Sequence, residues 1–291
     1  MENHADRSSV LLAIGGGALS DVVAMAAALF KRGIPWVSVP TTLLAMVDAA
    51  YGGKCAINFG GIKNSLGLYN EPVLRIYHHP YLQTLGLDAL VDGWAEMIKH
   101  GLIASQDLML RNLSYFRSLE ASATPALGPP DVDLLLRNLQ VKMDLVHLDP
   151  RESGPRKLLN FGHTMGHALE ALIPSLGHGR AVWLGMHYEC RLAVSAGFLT
   201  RDEALICYEN LELLAPYVSP STYPEGWPPW KVVLDYLLQD KKNLGGRILW
   251  SLPAGVGKAD YNREVDPALA QIVYEEWTQN PRAWPLLHGN V

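Results

Sequence analysis

Five apolar residues, Val10 to Ile14, run straight into Gly15-Gly16-Gly17, and Ser20-Asp21 open an apolar stretch that continues to Phe30. A compact apolar run has the pattern of a buried strand, and a strand that turns through glycines into a helix begins an α/β unit with a parallel sheet. Glycine lets a ligand approach the main chain, and the first N–H groups of a helix lack intrahelical partners, so such a turn can cradle a pyrophosphate. A plain tight strand-to-helix turn has the same letters. Trp36 to Val39 is the next expected strand. It ends at Pro40-Thr41-Thr42, ahead of a helix through Asp48 and a polar loop from Gly52-Gly53-Lys54 to Lys63-Asn64.

From about Leu85 the apolar spacing lengthens to a helical period. It predicts helices over 88–104, 106–119, 131–148, 163–174, 179–196, 201–213 and 229–239, a Pro-rich break over 216–229 and one late strand over 247–252. The expected fold class is an α/β domain over 1–83 followed by an all-α domain over 84–291.

In L-L-N-F-G-H-T-M-G-H-A-L, His163 and His167 stand four apart and share a helix face, and His178 follows in H-G-R-A-V. Two imidazoles on one face can serve a metal or an anion, and two unrelated histidines fit the same spacing. Glu96, Lys99 and His100 in W-A-E-M-I-K-H also share a face, and Ala95, Met97, Ile98 and Leu102 surround them. An ordinary Glu–Lys helix pair is the plain reading. A carboxylate among apolar neighbours is costly unless paired, and a metal is one such partner. Glu96 with His163 and His178 would form a two-histidine, one-carboxylate set that holds zinc with a coordination position free. A second set is cationic and amide-rich: Lys54, Lys63, Asn64, Lys99, Lys142, Arg156, Asn160, Lys241 and Lys242. A single lysine is usually solvated. Several converging cations would suit a small substrate bearing phosphate and carboxylate.

Composition excludes several classes. A formal charge of -5 with no basic tract leaves no footprint for nucleic acid. Cys55, Cys190 and Cys207 form no C-x-x-C, which argues against a disulfide framework or a thiolate zinc site and suits a reducing cytoplasm. No apolar run has the length of a signal sequence core or a membrane span, so a soluble, cytoplasmic protein is expected.

The ordered segments G-G-G-A-L-S-D (15–21), K-R-G (31–33), V-P-T-T-L-L-A-M-V-D (39–48), G-G-K (52–54), K-N (63–64), A-E-M-I-K-H-G (95–101), E-S-G-P-R-K-L-L-N-F-G-H-T-M-G-H-A (152–168), H-G-R-A-V (178–182) and D-K-K (240–242) together resemble the 3-dehydroquinate synthase family. The resemblance implies a Rossmann-like NAD-binding domain over 1–83, a metal- and substrate-binding domain over 84–291, one divalent metal, zinc or cobalt, and a homodimer. It makes Glu96, His163 and His178 the metal ligands and turns His167 to the substrate phosphate. Asp48, Lys54, Lys99, Asn64, Lys142, Arg156, Asn160 and one of Lys241 or Lys242 match the catalytic and substrate-binding positions, and Arg32 a residue reaching the neighbouring subunit's phosphate site. Gly16, Gly17, Asp21, Thr41, Thr42, Asp48, Lys54, Lys63, Thr84 and Leu85 fall at nucleotide-contacting positions.

The implied substrate is a phosphorylated keto acid, 3-deoxy-D-arabino-heptulosonate 7-phosphate, closed to 3-dehydroquinate with loss of phosphate and no net change in NAD. Lys142 and Arg156 would take its carboxylate, and His167, Lys54 and Asn64 its phosphate. Cyclases acting on sugars without the carboxylate tend to lose the arginine and asparagine that stand here as Arg156 and Asn160. The runner-up readings are a related cyclase such as an aminodehydroquinate synthase, an NAD- and metal-dependent alcohol or glycerol-phosphate dehydrogenase, and an inactive paralogue. Family members carry strand and helix units ahead of the glycine turn, whereas Met1 stands fourteen residues before Gly15. The nucleotide domain is therefore expected to be incomplete, with an exposed sheet edge and weak NAD binding.

Overall fold

The computed structural model describes residues 5–60, 62–121, 126–218, 226–239, 247–279 and 281, without the side chains of 62 and 63. The chain divides into two compact units, Met1–Trp94 with Ala126–Pro150, and Ala95–Pro125 with Arg151–Val291.

In the first unit, strand β1 (Leu11–Gly15) pairs in parallel with β2 (Trp36–Pro40), from Leu11 opposite Trp36 to Gly15 opposite Pro40. The two-residue β5 (Leu74–Arg75) pairs on the other side of β2, so β1 is an edge of the described sheet. Helix α1 (Gly17–Leu29) follows the glycine turn. Ala13, Ala24, Ala27, Ile34, Trp36 and Cys55 form the core beneath it. Successive residues of a strand face opposite ways. Ala13 is accordingly fully buried while Leu12 and Ile14 on the other face are 54% and 51% exposed.

The expected polar loop is instead an antiparallel hairpin, β3 (Lys54–Phe59) and β4 (Ile62–Tyr69), with Cys55 opposite Leu68. Asn70 ties it to α1, donating from Nδ2 to the Ala24 carbonyl at 2.8 Å. The helix expected to end at Asp48 is a short π-helix, Ala45–Ala49. Helix α4 (Val132–Leu148), capped by Asp131, which accepts from the Leu134 N–H at 2.8 Å, packs on that π-turn.

Helix α2 (Leu87–Ala104) belongs to the first unit up to Trp94 and to the second from Ala95. The second unit continues with α3 (Gln106–Glu120), α5 (His163–Leu172), α6 (His178–Ser195), α7 (Arg201–Glu212), α8 (Trp230–Gln239) and α9 (Pro267–Gln279). Helix α6 is almost wholly buried, as expected of a central helix, and carries His187, Glu189 and Arg191 among its buried residues. Tyr188 on α6 packs against Trp250, Tyr274 and Trp277.

The all-α expectation is corrected here. Beside the helices lies an antiparallel hairpin, β6 (Leu249–Pro253) with β7 (Ala259–Glu264). Strand β6 buries Trp250, Ser251 and Leu252, whereas β7, A-D-Y-N-R-E, carries no apolar alternation. Backbone pairing and the donation of Ser251 Oγ to the Lys157 carbonyl at 2.7 Å hold the hairpin where side-chain pattern gives no signal. Helix α9 likewise lies in a tail where no element is predicted.

Candidate metal centre and nucleotide turn

Helices α5 and α6 are antiparallel. A Cβ on Gly185 would lie 2.0 Å from the Gly162 carbonyl oxygen, one on Gly162 2.4 Å from Met186, and one on Gly166 3.0 Å from the Ala181 carbonyl oxygen. Real Cβ atoms do not come that near backbone, so the two helices touch main chain to main chain. This contact brings His163, at the start of α5, and His178, at the start of α6, to a ring separation of 5.5 Å.

Glu96 from α2 completes the group. Its Oε1 lies 3.3 Å from His163 Nε2 and 3.4 Å from His178 Nε2, and the ligand atoms of all three residues lie within 4.8 Å of one another. Oε1 is buried and makes no well-formed hydrogen bond, while Oε2 accepts from the Lys99 ammonium. His163 Nδ1–H donates to the Phe161 carbonyl at 3.1 Å, and His178 Nδ1 faces Glu170 Oε2 at 3.5 Å. Holding Nδ1 from behind turns Nε2 toward the shared space, the usual outer support of a metal-bound imidazole. Two imidazole nitrogens and one carboxylate oxygen, with no fourth ligand grouped with these three among the described residues, suit zinc or cobalt with an open position.

The electrostatics are lopsided. Burial alone would raise the Glu96 carboxyl, yet the Lys99 ammonium and the two imidazoles hold it well below its ordinary value. Burial and the Lys99 charge push His163 down to about 4. Burial also opposes charge on His178, but Glu170 and Glu96 outweigh it and raise that group to about 10. His178 differs from His163 because two carboxylates face it. His167 lies on the same side of α5, its ring 5.2 Å from that of His163 and 6.4 Å from that of His178. It does not join Glu96 in the three-residue group.

Other site residues of this unit lie just before α5. The Arg156 side chain is buried, at 2% exposure, in the short helix Pro155–Asn160. Asn160 Nδ2 donates to Glu152 Oε1 at 2.7 Å, which fixes the amide and turns its oxygen outward from that bond. Lys241 and Lys242 lie outside the described residues.

In the first unit the glycine turn is tied to the next strand by the Thr41 N–H, which donates to the Gly15 carbonyl at 2.9 Å. A Cβ on Gly16 would meet Thr42 Cγ2 at 3.1 Å and one on Gly17 would meet Ala49 at 3.1 Å. Burial raises the Asp21 carboxyl to about 6 against a hydrogen bond from the Ala56 backbone. Lys142 Nζ donates to Asp48 Oδ1 at 2.6 Å, joining α4 to the π-turn. A π-turn inside a helix is a frequent mark of a functional position. Lys54 opens β3 and is exposed, and Asn64, at φ 52°, lies in β4, where its N–H donates to Asn58 Oδ1 at 2.9 Å. The Lys63 side chain is outside the described atoms. Thr84 and Leu85 close the short helix His79–Thr84, and Arg32 sits exposed in a left-handed turn at φ 70°.

Two contributors escape sequence reasoning. Glu170 follows His163 by seven residues, a helical spacing that was available as a signal. Glu189 accepts from the Gly162 and Met165 N–H groups and is fully buried on α6.

Comparison with known proteins bears on all of this. The family model described as 3-dehydroquinate synthase N-terminal matches residues 1–92, and the one described as 3-dehydroquinate synthase C-terminal matches 93–243. A 3-dehydroquinate synthase of Synechococcus sp. is 37% identical over 282 residues, covering 94% of this chain and 74% of that protein. Among solved structures, 2-epi-5-epi-valiolone synthase of Streptomyces hygroscopicus subsp. jinggangensis, with NAD+ and Zn2+ bound, superposes with a TM-score of 0.80 at 29% identity, covering 96% of this chain and 76% of its own. A 2-deoxy-scyllo-inosose synthase complexed with carbaglucose-6-phosphate, NAD+ and Co2+ gives 0.81 at 25% identity, with 94% and 76% covered.

Proposed function

We infer the reaction from one premise: the chain belongs to the 3-dehydroquinate synthase family. It is a carbon–oxygen lyase that converts 3-deoxy-D-arabino-heptulosonate 7-phosphate to 3-dehydroquinate and phosphate, with NAD and one divalent metal as cofactors. The observation that carries the reading is the convergence of Glu96, His163 and His178 on one buried point.

Bound in their sites, the cation would supply a Lewis acid for an oxygen of the substrate and NAD a reversible hydride acceptor. The protein's own groups do the rest. Lys99 keeps Glu96 ionised at the ligand position. Arg156 is charged at any working pH and offers a planar fork for a carboxylate, which favours the carboxylated substrate. Asn160, its amide fixed by Glu152, presents an acceptor oxygen to a substrate hydroxyl. His167, near the ligands but outside their set, is the candidate to bind phosphate and carry its proton. In the first unit, Gly16, Gly17, Asp21, Thr41, Thr42, Thr84 and Leu85 are assigned to NAD, with Asp48, Lys54 and Lys63 beside them. Lys54, Asn64 and Lys142 are assigned to the substrate, as is one of Lys241 or Lys242 in the second unit. Lys142 is paired with Asp48. The reading extends to a cytoplasmic homodimer in which Arg32 serves the neighbouring phosphate site, an assignment its exposure permits.

The test is phosphate release from the heptulosonate with metal and NAD present or withheld. Stoichiometric phosphate with no accumulation of NADH, lost on chelation and restored by zinc or cobalt, is expected. Net NADH without phosphate would replace this reading with a dehydrogenase.

A further inference from the structure

Helix α5 starts without a cap of its own. Its N-cap residue, Gly162, has no side chain and sits at φ 77°. The first N–H groups of any helix need partners from elsewhere. Two of them find one carboxylate: Glu189 Oε2 accepts from Gly162 N–H at 2.5 Å and Oε1 from Met165 N–H at 3.0 Å. Glu189 comes from the far part of α6 and is fully buried. A buried carboxylate bridging two amides at the positive end of a helix is well placed electrostatically.

The two amides bracket His163. Gly162 precedes it and Met165 closes the same turn, so the backbone that carries this histidine is clamped on both sides by one side chain. The ring is then fixed by the Phe161 carbonyl, and its Nε2 points at Glu96. Gly162 has to be glycine for a related reason: a Cβ there would strike Met186 and the Val182 carbonyl oxygen, so no capping side chain fits. A local cap is sterically barred, and a distant carboxylate takes its place.

We propose that Glu189 is a positioning residue for the metal site, setting the backbone of the first turn of α5 so that His163 Nε2 meets the cation. The proposal rests on the assignment of Glu96, His163 and His178 as ligands. Glu189→Gln keeps the shape but replaces one acceptor oxygen with a donor facing an amide N–H.

The purified full chain is stripped with chelator, and its affinity for zinc is measured by competition, together with the visible absorption of the cobalt-loaded form. Glu189→Gln is expected to bind zinc about 10- to 100-fold more weakly, in the range of outer supports of metal ligands. Its cobalt bands should shift in position and intensity while far-ultraviolet circular dichroism is retained, and Glu189→Asp should recover part of both. Wild-type affinity and an unchanged cobalt spectrum in Glu189→Gln would overturn the proposal alone, whereas a wild-type chain that takes up no metal overturns the ligand assignment as well. If the variants do not fold, wild-type amide exchange decides. Slow exchange at Gly162 and Met165 that slows further on metal loading supports the clamp, and fast exchange insensitive to metal removes it.

Discussion

The glycines of the nucleotide turn and those of the α5–α6 contact look alike in the sequence and do different work. At Gly16 an added Cβ meets a threonine methyl at 3.1 Å, a contact that rotation of a partly exposed side chain can relieve. At Gly185 the same atom meets a backbone carbonyl at 2.0 Å. The first turn is built to be approached, and the second contact is built to be closed. The surroundings agree. Sheet strand β1 leaves Leu12 and Ile14 exposed, whereas α6 is buried almost from end to end.

The largest expected effect lies at the closed contact. Gly185→Ala forces the helices apart and should cost about 3 kcal/mol or more, lowering the thermal midpoint by on the order of 10 °C. Gly16→Ala should cost less than about 1 kcal/mol. Thermal unfolding of the two variants side by side is the measurement, and equal losses would erase the distinction between the two kinds of glycine. Next in size, Glu96→Gln should leave the purified protein without stoichiometric metal, by elemental analysis, while the helices persist. Metal at the wild-type level would mean that the closed contact positions something other than a metal site.

The smallest effect sharpens the open side. Asp21 titrates near 3.8 when unfolded and about 6 when folded, because burial disfavours its charge. The native state therefore holds the proton more tightly. The stability this contributes is complete below pH about 4 and is lost as pH rises through about 6. Partial exposure screens the effect, so the window is worth about 1 kcal/mol or less. Asp21→Asn should flatten the stability profile between pH 4 and 6 in denaturant titrations, and a slope identical to wild type would show that the turn does not desolvate this carboxyl.

The helical half was legible because its apolar residues recur with helical spacing over long stretches, and the bounds of α2, α3, α6 and α7 fall within a residue or so of expectation. The hairpin β3–β4 was not, because Gly67 within β4 and Gly52, Gly53 and Gly60 at its flank and turn give the stretch the composition of a loop, and main-chain pairing carries it. Strand β7 is hidden for the same reason. Within the site, Glu96 and His163 stood out as polar residues in apolar helices. Glu189 did not, since its partner amides are backbone atoms with no letter of their own. The one trace is spacing: His178, Val182, Gly185 and Glu189 repeat at four, three and four residues, a single stripe of α6. A stripe that holds a glycine and a carboxylate among apolar residues marks a neighbouring main chain at close range.

The three ligand positions sit on three helices, and Glu96 is remote in sequence from both histidines. No local segment can assemble such a site, so it comes into being only once the long intervening loop has closed. A cation held there acts as a reversible cross-link on that loop, drawing on chain entropy already spent in folding. Mass action then makes metal supply a lever on persistence: at one hundred times its dissociation constant a bound ion adds about 2.7 kcal/mol to the folded state. For this chain, scarcity of metal would first shorten the life of the protein and only then slow its turnover.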